Sequence, residues 1–387
     1  MRIARPPAAR RPSAGHLRPR WRWLLVAAGT ALLCAVPAVV AALPVPGSPV
    51  RATALRARIL ASAAVSYQGY SESRADLGLP VLPDLQDVSR LLDGTTDQYV
   101  WYRSAAHWRA ATLTTAGEDD SYQICRRTVL WNHAYNLLTR VTGSQQVRLP
   151  RAADLVPPAL ARRLLRLAGS AGRLSRLPSL RVAGVAAAGL RLTPASPVTS
   201  VAAIDIWADP ATGLPVEVQV FARGTGHAVL VSKFLQLSYH RPAPAVLVPH
   251  PAPGVHQTTA RLSALNGILN GGRRHPWPHQ LGGLALSATP GGPAGVAFYG
   301  TGLGRLALLP LPGRTGARVL DAAISAGAAT VRLPDGGGVL VRTPLLTVVL
   351  AASDRLGGIT FLLAGPVTAK VLQHAASDLL TLIEAAR

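Results

Sequence analysis

The sequence predicts an α+β protein. It is built on an antiparallel sheet with one apolar side that helices cover, with a smaller α+β unit at the C-terminus and a membrane-spanning helix at the N-terminus. Three observations lead there. Ser200 to Tyr239 alternates apolar and polar residues through three strand-length runs, which gives a sheet two unlike faces. Two short runs, Ala54–Ala64 and Pro158–Ala168, read as helices able to lie on such a face, the first rich in small residues and the second with leucines at helical spacing. Trp23 to Leu43 is a stretch of 21 residues without a charge, long enough to cross a bilayer.

From the N-terminus, the first 22 residues hold seven arginines and no acid, which orients the span with its N-terminus in the cytoplasm. The length of the apolar run favours an uncleaved signal anchor over a signal peptide cut after Ala42, although Val40-Ala41-Ala42 is an acceptable cleavage site. Leu33 before Cys34 is too large for a lipidation site. The chain from Pro44 onward lies outside the membrane and keeps a formal +15 of the total +22. Lys233 and Lys370 are the only lysines, so the basic excess is an arginine bias and does not by itself point to nucleic acid. Such a charge can hold an exported protein near anionic lipid or wall polymer by screened attraction. Cys34 and Cys125, the only cysteines, fall on either side of the membrane boundary, so no intramolecular disulfide is expected.

After a Pro44–Pro49 spacer, Ala54–Ala64 reads as a helix and Val65–Ala75 as a strand, with a loop and a short helix over Leu77–Asp93. Strands come next at Asp97–Ser104, Trp108–Thr114, Ser121–Ile124, Thr128–His133 and Tyr135–Val141. Pro158–Ala168 is a helix with a Leu160, Leu164, Leu167 stripe and Arg162, Arg163 and Arg166 turned away from it. The stretch from Arg151 to Arg191 has eight arginines against the single acid Asp154. Such a helix suits a membrane surface as well as an oily sheet, and the sheet is the preferred seat. Leu180–Leu192 reads as one strand leading into Ser200–Tyr239, where Asp209-Pro210-Ala211-Thr212-Gly213 forms a turn with Gly213 at positive φ. Ile204, Ile206, Val216, Val218 and Val220 share one face with Val229, Val231, Leu235 and Leu237; Asp205, Trp207, Glu217, Gln219 and Phe221 take the other.

His240–Gln280, with seven prolines, reads as a linker holding at most a helical turn or two at Ala260–Leu269. Beyond it come strands at Gly295–Tyr299, Gly304–Leu309, Thr330–Leu333, Gly338–Thr343, Leu345–Ala351 and Gly358–Leu363, with helices at Arg318–Ala326 and Pro366–Ala385. The organisation is thus a basic tail (1–22), a signal anchor (23–43), a large unit (50–240), a Pro-rich linker (241–280) and a small α+β unit (281–387).

Little in the sequence carries chemistry. Gly300-Thr301-Gly302-Leu303-Gly304 looks like part of a dinucleotide fingerprint, but a strand-like run with Pro310 and Pro312 stands where a phosphate-binding helix is needed, so it reads as a turn. No nucleophile elbow, H-E-x-x-H or C-x-x-C occurs. His275 and His279 flank Trp277 in a Pro-rich stretch without acids or thiols, and Glu118, Asp119 and Asp120 read as a solvated hairpin tip. No catalytic residue, metal or cofactor is expected. Tyr99, Trp101, Trp108, Trp131 and Trp207 lie on strands, either as core or as the lining of an apolar cavity between sheet and helices. The expected lining is Tyr99, Trp101, Trp131, Ile204, Ile206 and Val218, with Trp101 and Trp131 nearer the opening and Trp207 on the outer side.

The order of these elements, with Tyr67-Gln68-Gly69 in the first strand and the D-P-A-T-G turn followed by Leu214-Pro215, resembles the exported MucB/RseB proteins, whose N-terminal domains are relatives of the lipoprotein carrier LolA. The resemblance covers about Ala54 to Tyr239. It implies an unclosed, strongly curved antiparallel half-barrel plugged by helices, with a concave face that holds an acyl chain or apolar groups. It also implies a C-terminal domain that binds the extracytoplasmic part of an anti-sigma factor. Cys125-Arg126-Arg127 stands where that family places a Gly/Asp turn, and the anchor departs from its free periplasmic members. The function expected is a membrane-anchored extracytoplasmic sensor that holds a lipid or lipidated ligand and regulates a partner such as an anti-sigma factor, without enzymatic activity. A lipid or lipoprotein carrier, or chaperone, is the alternative, and an envelope hydrolase a further one.

Overall fold

In the computed structural model the described residues are 21, 23–31, 45–78, 86–142, 150–261, 277–287, 295–311, 313–333, 336–352 and 359–385. Met1–Val45 is one unit and Pro46–Arg387 a second. In the first, residues 23–31 are helical; the rest of the expected span, 32–43, lies outside the described residues. Among the described residues no helix is long and apolar enough to cross a membrane.

The second unit opens with helix α1 (Ala52–Ala61) and strand β1 (Tyr67–Asp76). Helix α2 (Gln86–Leu92) precedes β2 (Asp93–Ser104), and β3 (His107–Thr114), β4 (Gly117–Ile124), β5 (Arg127–Asn132) and β6 (Leu137–Thr142) form a meander. Helix α3 (Pro157–Ala168) leads to β7 (Arg173–Val182), β8 (Val185–Thr193), β9 (Val201–Ala208), β10 (Pro215–Ala222) and β11 (Ala228–Ser238). Strand β12 (His256–Arg261) completes a twelve-stranded sheet of order β12-β6-β5-β4-β3-β2-β1-β11-β10-β9-β8-β7. Every pairing is antiparallel except β12 on β6, so a strand from within the expected linker closes one edge of the sheet.

Beyond a two-residue ladder, β13 (Gln280–Leu281) with β14 (Leu284–Ala285), the chain forms a six-stranded antiparallel sheet. Its strands are β15 (Ala297–Tyr299), β16 (Leu306–Leu311), β17 (Ala329–Leu333), β18 (Gly336–Arg342), β19 (Thr347–Ala352) and β20 (Thr360–Gly365), ordered β15-β16-β20-β19-β18-β17. Alternation along β19 separates two cores. Val349 and Ala351 face helix α5 (Ala369–Ala385) through Leu372, Ala376 and Leu379, whereas Leu350 faces helix α4 (Gly313–Ser325) through Ala323.

The large sheet has the two unlike faces expected. Ile204, Ile206, Val218 and Val220 lie in one apolar core with Leu55 and Ile59 of α1 and Leu160, Ala161 and Leu165 of α3. Both expected helices therefore cover the same face. Several details differ from the sequence reading. On β11 the inward residues are Leu230, Ser232 and Phe234, because register pairs Val220 with Leu230 and Val218 with Ser232; Leu235 is exposed beside a β-bulge. Leu-Val-Ser-Lys-Phe-Leu is apolar at both parities, so its own alternation cannot choose a face. On α3 the buried side runs through Leu160, Ala161, Leu165 and Ala168, while Leu167 is exposed and Arg162 is buried. The stretch read as one strand at Leu180–Leu192 lies across a hairpin, holding the end of β7, the turn and most of β8. Ala183 (φ 47°) and Gly184 (φ 82°) make its two-residue turn. Its first strand escapes a period-2 reading because a bulge between Leu177 and Leu180, together with Pro178, breaks the alternation.

The D-P-A-T-G turn shows why the sheet and α1 are inseparable. Asp209 accepts from the Ala211 N–H (2.9 Å), the Thr212 hydroxyl (2.8 Å) and the Tyr239 hydroxyl (2.7 Å). Arg58 of α1 donates to the Pro210 carbonyl. Gly213 has φ 72°, and a Cβ there would stand 2.4 Å from the Arg58 carbonyl oxygen. Gly213→Ala should therefore lower stability by about 2 kcal/mol or more in chemical denaturation, whereas Gly224→Ala, also at positive φ but facing open space, should cost about 1 kcal/mol.

Burial pushes the Asp209 carboxyl up, but its hydrogen-bond donors, Tyr239 first, outweigh burial and hold it below the usual carboxylate range. A depressed folded value makes its contribution complete above about pH 4 and lost as the pH falls through that value. Tyr239→Phe should accordingly cost about 1 kcal/mol at pH 7, and the gap from wild type should close in acid unfolding series.

Candidate functional site

The face under α1 and α3 is not uniformly apolar. Beside the Ile204, Ile206 and Val218 field, strand pairing sets Ser232 against Ser73, Ser73 against Thr96, and Ser71 against Gln98. All five side chains point to the helix-covered side and are buried. The segment entering α3 closes over them: Ser232 donates to the Leu155 carbonyl, and the Gln98 amide donates to the Ala152 carbonyl at 3.0 Å. The Ser71 and Ser73 hydroxyls and the Gln98 carbonyl oxygen have no hydrogen-bond partner among the described residues. Three unpartnered polar atoms close together in an interior form a costly arrangement, on the order of 1–3 kcal/mol each.

Further along the same face stands an aromatic group. Tyr67 stacks on Tyr102 (centroids 5.0 Å apart) and meets Phe234 edge-on at 5.6 Å. The buried Arg162 lies over the Tyr102 ring at 5.8 Å and donates to the Ser62 hydroxyl at 3.1 Å. Burial pushes the Tyr67 phenol up, with Arg162 acting in the opposite direction, so the phenol stays neutral across the physiological range. The concave face thus runs from an apolar field through a polar strip to an aromatic end, beneath a single layer of helix.

The six expected lining residues do not converge. Ile204, Ile206 and Val218 have no exposure and are packed into the core with the α1 and α3 side chains. Tyr99, Trp101 and Trp131 lie on the opposite, outer face. The pairs Gln98–Thr112 and Val100–Ala110 face the helices; the neighbouring pairs, Tyr99–Ala111 and Trp101–Arg109, therefore face away. Tyr-Val-Trp-Tyr is apolar at both parities, so the partner strand decides which face each aromatic takes. On the outer face Tyr99 packs between Tyr70 and Trp101, and Arg109 lies 4.8 Å over the Trp101 ring. Trp131 stacks on His133 at 4.2 Å. Trp207 is on the outer face as expected and donates to the Pro178 carbonyl at 3.0 Å.

The acids read as a hairpin tip are on β4, and Asp120 is buried among partners. It binds Arg109 (2.7 Å), the Tyr122 hydroxyl (2.9 Å) and His133 (3.0 Å), while Glu118 takes the other side of Arg109 at 2.7 Å. Glu118, Asp120 and His133 have the spacing of a metal-ligand set. Arg109 already supplies the cation there, and the group is read as a structural ion network. Cys125 is a free, exposed thiol, 3.5 Å from the His107 ring.

The two sheets meet at a seam. Residues 198–200, between β8 and β9, run beside residues 366–368, just before α5. Thr199 bridges Val367, Ser200 N–H donates to the Pro366 carbonyl at 3.0 Å, and Thr368 N–H donates to the Val198 carbonyl at 2.9 Å. The Ser200 hydroxyl donates to the Leu345 carbonyl at 2.6 Å, and the Thr199 hydroxyl to the Leu303 carbonyl at 2.7 Å. Leu303 lies within the Gly300–Gly304 stretch. It enters the apolar core that α3 shares with the large sheet, and the chain beside it abuts α3: a Cβ on Gly302 would lie 3.3 Å from the Leu167 carbonyl. The Gly-rich motif is a turn, as expected, and it carries the contact between the C-terminal sheet and α3. A crevice of about 550 Å³ beside it is lined by the end of α3, residues 194–199 and the Gly300–Gly304 loop.

These features define a two-sheet α+β protein whose larger, curved and unclosed sheet has a helix-plugged face, with a second sheet seated on the plugging helix. No protein-family model matches the sequence, and no curated protein matches it. Among solved structures the chain is similar to MucB in complex with MucA(peri), at 17% identity over 84% of this chain and 97% of that one, with a TM-score of 0.49. It is also similar to the MucA/MucB complex of Pseudomonas aeruginosa (18% identity, 84% and 96% covered, TM-score 0.48). A LolA superfamily protein of Nitrosomonas europaea matches 52% of this chain and 98% of its own length, at 10% identity and a TM-score of 0.24. The likeness is one of fold.

Asp120→Asn leaves Arg109 half-buried with a weaker partner, and should lower stability by about 3 kcal/mol in urea titration. The triple change Arg109→Met, Asp120→Leu and Tyr122→Phe should recover much of that loss, because the interior then holds neither a charge nor a buried hydroxyl in need of a partner.

Proposed function

We propose that this chain is an extracytoplasmic binding protein without catalytic activity, held at the membrane by residues 23–43. In this reading it takes an amphiphilic ligand, an acyl chain with a polar head, on the concave face of its large sheet and signals that occupancy through its C-terminal sheet. The observation that carries the reading is the adjoining of an apolar field to a buried strip with unpartnered oxygens on Ser71, Ser73 and Gln98, all under one layer formed by α1, the Ala152–Leu155 turn and α3. An acyl chain matches the field, and an ester or amide head matches the strip. Ile204, Ile206 and Val218 are fully covered in this closed form, so binding requires α3 to lift. Lifting α3 withdraws the surface on which Leu303 sits, which links occupancy to the position of the C-terminal sheet.

The partner surface in this reading belongs to the C-terminal sheet, and the partner class is the extracytoplasmic segment of a membrane protein such as an anti-sigma factor. Regulation rather than carriage is favoured because an anchored protein does not shuttle. N-terminal sequencing that found the chain cut after Ala42 would turn the reading toward a carrier.

The test separates folding from binding. Ser73→Ala removes an unpartnered buried hydroxyl and should raise the stability of the empty protein by about 1 kcal/mol. The same variant, purified from membranes, should carry less lipid than wild type in native mass spectrometry with solvent extraction. Wild-type protein that is consistently lipid-free, with hydrogen exchange in α3 and Gly300–Gly304 unchanged by added amphiphile, would sink the proposal.

A further inference from the structure

The outer side of the helix layer is strongly and asymmetrically charged. Helix α1 packs against both α3 and β7, so the three make one continuous surface. Arg51, Arg58, Arg163, Arg166 and Arg176 are all exposed on it, Arg176 on the helix-facing parity of β7 with Leu174. Asp154 is the one acid in the stretch from Arg151 to Arg191, and it lies 3.9 Å from Arg163. Seven acids, Glu72, Asp76, Asp93, Asp97, Glu118, Asp119 and Asp120, fall on β1, β2 and β4; nearer β7, Asp205 and Glu217 point to the face away from the helices, Asp205 paired with Arg191, and Asp209 is held inside its turn by Tyr239. A uniform arginine bias would raise the basic count everywhere; it does not remove the acids from one face.

The chain also enters the fold on this face. Arg176 of β7 donates to the Ser48 carbonyl, and the Ser179 hydroxyl accepts from the Ser48 N–H at 3.2 Å. Ser48 is thereby fixed against β7, shortly before α1. The uncharged run ends at Leu43, five residues earlier, and five residues span at most about 18 Å when extended. The chain thus reaches this face a few residues in sequence after the apolar run.

We propose that the α1–α3–β7 surface docks on an anionic bilayer, its arginines meeting lipid phosphates. The orientation half of this inference rests on residues 23–43 being an anchor; the binding half does not. Docked this way, the helix layer that covers the concave face lies against the membrane, where an acyl ligand would come from. Each basic side chain near an anionic surface adds an increment that decays within a Debye length, so the attachment is multivalent and salt-sensitive.

The experiment uses the Pro46–Arg387 unit, which contains both sheets and their cores and lacks the apolar run. Co-sedimentation with vesicles of phosphatidylglycerol and phosphatidylcholine is compared with phosphatidylcholine alone. Binding is expected to the anionic vesicles only and to fall as salt is raised. The triple change Arg51→Gln, Arg163→Gln and Arg166→Gln should weaken it about tenfold or more. Arg126→Gln, Arg127→Gln and Arg140→Gln, in the turn before β5, on β5 and on β6, remove the same charge and should change it less than about twofold. Circular dichroism melts of both triples identify a loss of fold. Equal losses from the two triples would show binding by net charge alone and overturn the proposal. So would absent vesicle binding by a folded wild type, or a preference for soluble anionic wall polymer over vesicles. Lipid extraction from the concave face is a separate measurement, so either proposal can fail without the other.

Discussion

The burial of α1 and α3 against the inner face of the large sheet is the contact on which the rest of the structure depends. A sheet with Ile204, Ile206, Val218 and Val220 on one side cannot leave that side in water. Two short helices meet the requirement, α3 with a broad buried side and α1 with only Leu55 and Ile59 buried within its length. It is fixed by tertiary contacts, Arg58 to the Pro210 turn and Arg56 to the Gly169 carbonyl beyond α3. Gly213 has no side chain because the α1 backbone passes where one would be. A turn motif legible in the sequence as a reversal is thus also a docking surface for a helix 152 residues earlier, counted from Arg58 to Pro210.

One rule sets how far the sequence can be read. Where a strand is apolar at one parity and polar at the other, its face can be assigned without a structure; Ile204, Ile206, Val216, Val218 and Val220 are all buried, as alternation requires. Where both parities are apolar, the neighbouring strand decides. That is the case for Tyr99 and Trp101 on β2 and for Leu230 to Leu235 on β11, and there the expected faces are the wrong ones. The polar strip is hidden for a related reason. Ser71, Ser73 and Gln98 carry no mark of burial in their residue type, and only the pairing of β1 with β2 and β11 places them inside. Strand β7 is illegible because its bulge puts Leu177 and Leu180 three apart, a spacing that does not fit strand alternation.

Arginine is the residue type least legible in advance. An arginine on a helix next to a leucine stripe is ordinarily solvated, and Arg163 and Arg166 are. Arg162 is not: it reaches Ser62 and the Tyr102 ring inside the fold. Arg109 sits between Asp120 and Glu118, residues that sequence alone puts on a solvated tip. Composition carries the excess of positive charge, but only the packing separates the arginines that neutralise interior acids from those left on one face.

The Gly300–Gly304 stretch shows how local chemistry and long-range packing divide the work. Glycine spacing there invites a phosphate-binding reading, which the strand that comes next rejects. The glycines are needed for another reason. Gly300 and Gly302 adopt φ 76° and 64°, and Gly304 lies against Val198, so the loop can present Leu303 to α3 without side chains of its own in the way. The C-terminal sheet is therefore joined to the large sheet by an apolar side chain in the α3 core and by the short bridge at Thr199. The first of these contacts needs α3 seated on the large sheet; the second does not. This is the arrangement expected if the state of the concave face is to be felt by the second sheet.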